Sequence, residues 1–187
     1  MNWNFRGLDS ADKKLRLSVG LAKMFVGIIE EGGNNNGQMV EQFQKAVDGY
    51  AGSLPWCMSF CQYIAKQTDM IANFTDDKMG KCKFKLYPTE HVMTCWRSSS
   101  PKYVVKCPKV GHWVVWNHLD RHGKPTNAGH VEIISKVLGP RYVSVIGGNT
   151  GGPSTRGVIR EGDGVWEKYR TLRDQGPMKF VGLLSPW

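Results

Sequence analysis

Apolar residues recur at helical spacing through the first third of the chain and then give way to short β-branched and aromatic runs. Leu15, Val19, Ala22, Val26 and Ile29 lie three or four apart behind Asp9 and Ser10, two residues suited to capping a helix N-terminus. Gly32-Gly33 stops the run, so the spacing predicts a first amphipathic helix. A loop, Asn34-Asn35-Asn36-Gly37, leads to a second helix with Val40, Phe43 and Val47 on one face and Gly49 closing it. After Tyr50 to Leu54, Pro55 stands where prolines open helices. Cys57, Phe60, Cys61 and Ile64 form the buried stripe of a third helix reaching about Met70.

The remainder changes period. Tyr103 to Lys106, Trp113 to Asn117, His130 to Val137, Tyr142 to Ile146 and Lys179 to Leu184 are short runs rich in Val, Ile and aromatics, the mark of strands. Helices gathered before closely spaced strands imply an α+β domain with an antiparallel sheet rather than alternating βαβ units. Phe74 to Pro101 is mixed and basic and yields no element. With no internal repeat and no linker, the expected organisation is one domain over residues 1–187.

Composition narrows the classes. At 187 residues and 41% hydrophobic, the chain can bury a core without cross-links, and no stretch approaches the ~18 apolar residues of a membrane span. Twenty-five Lys+Arg against 16 Asp+Glu leave a net charge of +9, which attracts polyanions without choosing among them. The basic residues cluster only briefly, at Lys13-Lys14-Leu15-Arg16 and from Lys78 to Lys85, so a dedicated nucleic-acid arm is not expected. Lys23 breaks the one candidate secretory segment, and Glu30-Glu31 follows where small residues should lie, so no signal peptide is expected. The five cysteines, Cys57, Cys61, Cys82, Cys95 and Cys107, are odd in number and irregular in spacing, which suits a reducing compartment and forms no zinc motif. His118 and His122 would share a face on a helix, but Gly123-Lys124-Pro125 predicts a loop.

Cys57 is the candidate nucleophile. Just after Pro55 it falls in the first turn of the third helix, where unpaired N–H groups and the positive end of the helix dipole stabilise a thiolate. Cys61, one turn deeper, is read as structural. His130, which opens a strand after Gly129, is the best placed of the histidines to act as base. A turn centred between Gly139 and Pro140 puts His130 opposite Asn149 in the hairpin, and opposed residues point to the same side of a sheet. Asn149 is therefore the expected orienting residue. A one-residue slip would spoil that pairing. Glu132, on the same face as His130, is the fallback.

Cysteine, histidine and amide in this order make the papain-type arrangement of nucleophile, base and orienting group. The stretches Pro55-Trp56-Cys57 with Phe60, Gly129-His130-Val131 and Val145-Ile146-Gly147-Gly148-Asn149 resemble the CHAP (cysteine, histidine-dependent amidohydrolase/peptidase) family of peptidoglycan hydrolases, especially compact bacteriophage endolysins. The likeness covers about residues 20 to 187, including Glu31 to Asn35, the Trp96 segment and Pro108 to Trp116. It implies a papain-like α+β fold in which N-terminal helices carry the nucleophile against an antiparallel sheet. It also implies Cys57 as nucleophile, His130 as base and Asn149 as orienter. Trp56, next to the nucleophile, and Glu132, on the face of His130, are the residues expected at the oxyanion and substrate groove. The chain departs from the family at His112, where relatives often carry an acidic residue, and at Gly147, where many carry Glu. Calcium-binding relatives have an Asp-rich loop before the nucleophile. Gly49 to Leu54 has no acidic residue, so neither metal nor other cofactor is expected.

The expected function is hydrolysis of an amide bond in bacterial wall peptide, by an N-acetylmuramoyl-L-alanine amidase or an endopeptidase. The protein would be a monomer with no separate wall-binding module, made in the host cytoplasm and passed to the wall through a holin. Peptidoglycan is the expected partner, without nucleic acid or stable membrane insertion. Some of the seven tryptophans, Trp3, Trp56, Trp96, Trp113, Trp116, Trp166 and Trp187, are candidate sugar platforms, though core packing suits most of them. Two other readings use the same residues differently: an antibacterial toxin with this chemistry and a cognate inhibitor, and a basic surface- or nucleic-acid-binding module in which Cys57 and His130 are structural.

Overall fold

The computed structural model describes residues 7–159 and 162–187, which leaves Trp3 outside the described residues. Three helices come first: α1 (Ser10–Met24), α2 (Gln38–Asp48) and α3 (Cys57–Thr75). Asp9 caps α1 by accepting the Asp12 N–H at 2.8 Å. Leu15, Val19 and Ala22 are buried as their spacing predicts, but Val26 and Ile29 are 39% and 50% exposed and the helix stops before them. A competing partner ends it. Gly27 N–H donates to Val165 O at 2.9 Å, Val165 N–H to Ile28 O at 2.8 Å and Glu30 N–H to Asp163 O at 2.8 Å. Residues 27–30 thus satisfy their backbone against a strand and not within a helix. Gly49 closes α2 in the left-handed region (φ 88°), and α3 runs about a turn past its expected end.

The basic stretch that gave no sequence signal holds two short helices, α4 (Asp77–Lys81) and α5 (Val92–Ser98). Beyond it come β1 (Val104–Val105), β2 (Trp113–Leu119), β3 (Pro125–Gly139), β4 (Tyr142–Thr150), β5 (Gly164–Thr171) and β6 (Met178–Leu184). Among the described residues these form one antiparallel sheet in the order β1-β6-β2-β3-β4-β5. Five of the strands match the apolar runs. The sixth, β5, lacks an apolar stripe because Glu167, Lys168 and Arg170 interrupt it, and Arg170 is buried through an ion pair. His118 lies near the end of β2 and His122 in the following turn, so the two share no helical face.

The α3 stripe Met58, Phe60, Cys61 and Ile64 packs with Val115, Val131, Ile133 and Ile146 of the sheet, and α1 and α2 close this layer with Leu15, Val19, Val40 and Phe43. A second apolar layer joins Val114, Trp116, Ile134, Val143, Val145 and Met178 to Val158, from the segment after β4. The molecule is thus the expected α+β arrangement, with the nucleophile-bearing helix against the middle of an antiparallel sheet. No described helix is long and apolar enough to cross a membrane. All five cysteines are free thiols, with Cys57, Cys61 and Cys95 buried and Cys107 exposed.

One buried charge fastens the helical layer to the C-terminus. The Lys14 side chain is fully buried and pairs with Asp69, which also accepts Trp187 Nε1–H at 2.8 Å and the Phe84 N–H at 3.0 Å. The ammonium lies 5.9 Å from the Trp187 ring centroid. Asp69→Ala leaves Lys14 without its counter-charge and is expected to lower the unfolding free energy by about 3–5 kcal/mol, measured by urea denaturation.

Candidate active site

Cys57 is the first residue of α3, with Trp56 as N-cap and Pro55 just ahead of the cap. The first intrahelical bond runs from Phe60 N–H to Trp56 O at 2.9 Å, so the N–H groups of Cys57, Met58 and Ser59 have no partner within the helix. The sequence expectation for this residue therefore holds: a thiol at the positive end of a long helix. It lines a cleft of about 270 Å³ between the Leu54-Pro55 turn, the start of α5 and the Asn127 to Gly129 part of β3. Cys61 is buried one turn deeper. Burial first, then the neighbouring Cys57, Cys95 and Glu132, push its thiol well above the usual range, as suits an inert packing residue.

His130 is fully buried in β3. Its Nε2 lies 3.6 Å from Glu132 Oε1 and 3.4 Å from Thr150 Oγ1, while Nδ1 has no geometric hydrogen-bond partner among the described residues. Burial disfavours the imidazolium. The charge and hydrogen bonding of the adjacent Cys57, followed by those of Glu132, outweigh burial and raise the His130 pKa to about 9. Cys57 and Glu132 thus both hold a proton on the same ring.

Glu132 is equally buried and fully bonded. Trp116 Nε1–H donates to Oε2 at 3.1 Å, Arg170 Nε–H reaches both oxygens at 3.1 Å, and Arg170 Nη2–H donates to Oε1 at 2.8 Å. Burial pushes this carboxyl up, but Arg170 and then His130 outweigh it and bring the pKa down to about 2. The other arm of the guanidinium, Nη1, donates to Gly157 O at 2.7 Å and so ties the segment after β4 to the same carboxylate.

Two sequence expectations are corrected here. Asn149 spends its hydrogen bonds elsewhere than on His130: its Nδ2 donates to Asn35 Oδ1 at 2.9 Å and its Oδ1 accepts the Gly162 N–H at 2.7 Å. The register itself is as expected at this end, with Ile133 opposite Ile146 and Ile134 opposite Val145. It gets there by a different route. The turn is Pro140-Arg141, with Gly139 opposite Tyr142, and two irregularities in the ladder bring the pairing back. Beyond Gly147 the β4–β5 ladder slips by one residue and Asn149 turns left-handed (φ 49°), which aims its amide away from β3 and leaves Thr150 beside the imidazole. The second correction concerns the groove. Trp56 is fully buried, stacks on Phe43 with centroids 5.5 Å apart and donates Nε1–H to Glu30 Oε1 at 2.8 Å. Glu132 is no more exposed, so neither residue borders a groove.

The partners that sequence reasoning missed are Arg170, Trp116, Thr150 and the vacancy at Gly147. A Cβ at Gly147 would stand 3.0 Å from Glu132 Cγ and 3.5 Å from His130 Nε2, so the absence of a side chain there makes room for Glu132. At Gly148 a Cβ would meet Phe60 Cβ and the Trp56 ring at 2.6 Å, which is how closely β4 approaches the start of α3. The paired glycines were the available signal for this close approach.

A family model described as CHAP domain matches residues 49–149, more than half of the chain. No curated protein and no solved structure matches the chain.

Arg170→Leu leaves the Glu132 carboxylate buried without its cation and is expected to cost about 3–5 kcal/mol of stability. In the parent protein the contribution of Glu132 is complete above its ordinary value of 4.5 and is lost as pH falls through about 2. In the variant that loss begins at higher pH, which thermal melts across pH 3–6 (a window around that of ordinary carboxylates) would register.

Proposed function

The chain belongs to the CHAP domain family, and is thus a cysteine, histidine-dependent amidohydrolase/peptidase of the peptidoglycan-hydrolase kind; from that premise we propose a mechanism in which Glu132, not Asn149, completes the catalytic set with Cys57 and His130. The observation that carries this reading is the contact chain at His130. One ring nitrogen faces Glu132 and the other, without a competing partner, is left for Cys57. The Cys57 thiolate attacks the amide carbonyl carbon, forming a C–S bond and an oxyanion that the free N–H groups at the start of α3 stabilise. His130 donates its proton to the departing amine as the C–N bond breaks. Water, deprotonated by the same imidazole, then attacks the thioester and releases the acid and the thiol. Glu132 acts through His130, holding the ring's orientation and its charge.

The biological role proposed with this chemistry is that of a phage-type lysin: a monomer that is carried to the wall through a holin and cuts wall peptide as an amidase or an endopeptidase, with wall affinity residing in this same domain. The net charge of +9 supports attraction to an anionic envelope.

Cys57→Ala is expected to reduce release of soluble fragments from purified peptidoglycan by about a thousandfold or more. Glu132→Gln should lower kcat by about a hundredfold by misplacing the imidazole, whereas Asn149→Ala should lower Tm and leave kcat within a few fold. The opposite ranking of Glu132 and Asn149 would restore the amide as orienter. Because the imidazolium persists up to a pKa of about 9, kcat/KM should stay high through neutral pH and fall as pH rises through about 9. In Glu132→Gln that fall should come at lower pH.

A further inference from the structure

The positive charge of this chain is not concentrated at its reactive cleft. Among the described residues no Lys or Arg lines the cleft that holds Cys57. Arg97 is tied to its wall through Asn127, whose Oδ1 accepts the Arg97 Nη1–H at 3.0 Å. Among the described residues Glu90 is the one carboxylate in the lining, half-buried just ahead of α5. Among the described residues it has neither ion-pair nor hydrogen-bond partner, in contrast to Glu132, which shares its carboxylate among three donors. His91 and Asn127 are the other polar side chains of the wall, and the rest of it is apolar or small: Leu54, Pro55, Val92, Ala128 and Gly129.

We infer that Glu90 is a specificity-determining residue, which receives a protonated amino group of the substrate while the scissile carbonyl lies at Cys57. The inference rests on the hydrolase reading and names the feature of the wall peptide that the cleft selects, the free amine of a diamino acid. Three observations converge on a cation. A partly desolvated carboxylate without a partner is a standing cost unless a ligand fills the role. Burial, followed by the charge of Asp48, holds the Glu90 carboxyl above its ordinary value against the opposing influence of His91, so a bound cation would relieve an existing repulsion. The apolar floor beside it excludes water from the contact and strengthens it. The basic surface and the acidic cleft then have separate tasks: long-range attraction to an anionic polymer, and local choice of its cationic groups.

The test compares purified sacculi with the same sacculi N-acetylated on their free amines, with parent protein and Glu90→Gln as the enzymes. The parent is expected to lose about tenfold in kcat/KM on acetylation, the size expected for one charge-assisted hydrogen bond. Glu90→Gln should lose a similar factor on untreated sacculi and show no further loss on acetylated ones. Glu90→Lys, with Tm measured alongside, should prefer the acetylated material. Equal parent rates on both sacculi, or a Glu90→Gln protein as sensitive to acetylation as the parent, overturns the amine subsite and leaves the hydrolase reading standing. No release from either material by the parent overturns the hydrolase reading, and the subsite falls with it.

Discussion

A buried positive charge must be held at His130, and much of the architecture around it follows from that requirement. An imidazolium removed from water is costly, so the fold sets the Glu132 carboxylate on one side of the ring and Cys57 beside it. Glu132 is itself a buried carboxylate and needs its own cation, which Arg170 provides from β5, two strands away from β3 in the sheet. Three charged groups with complementary bonds are tolerable where any one alone would not be. Trp116 and Thr150 occupy further hydrogen-bonding capacity of the set.

This array explains features that otherwise look like ornaments of the sheet. Gly147 has no side chain because Glu132 fills that space, and Gly148 has none because β4 must pass against Trp56 and Phe60. Relatives that carry Glu in the position of Gly147 would bring a carboxylate to the imidazole from β4. Here it comes from β3, within the histidine's own strand. The bulge after Gly147 then turns Asn149 outward to bind Asn35 and Gly162, so that the amide fastens two loops behind the nucleophile. Glu30, ahead of the first of those loops, holds the indole of Trp56, the residue at the N-cap position of α3. The segments expected to carry the chemistry do meet in space, with Glu132 beside the imidazole and Asn149 bonded to Asn35 and Gly162.

The helices and strands were legible wherever burial was made by apolar residues at a regular period. Val40, Phe43 and Gly49 located α2, and the runs around Trp113, Val131 and Val143 located the centre of the sheet. Legibility failed where a non-local partner decided the outcome. Val26 and Ile29 continue the α1 spacing, but the β5 backbone captures that segment. The β5 strand carried too much charge to register as a strand, because its inward-facing residue is an arginine neutralised by a glutamate thirty-eight positions earlier.

By itself the sequence placed the proposed nucleophile at a helix start and the proposed base on a strand. A cysteine just after a helix-opening proline and a histidine after a strand-leading glycine are set by local backbone geometry, and local geometry is encoded by neighbours in the chain. It also determined the pairing of β3 with β4 at the end near the site, although the turn and its compensating irregularities differ from the simple hairpin. Only the tertiary structure decided which polar group faces His130, because a single-residue slip in a ladder reverses the direction of a side chain. Tertiary structure alone likewise paired Glu132 with Arg170 and left the cleft acidic in a basic protein. The sign of the field at a site depends on which few charges are folded against it, and the net charge of the chain carries no record of that.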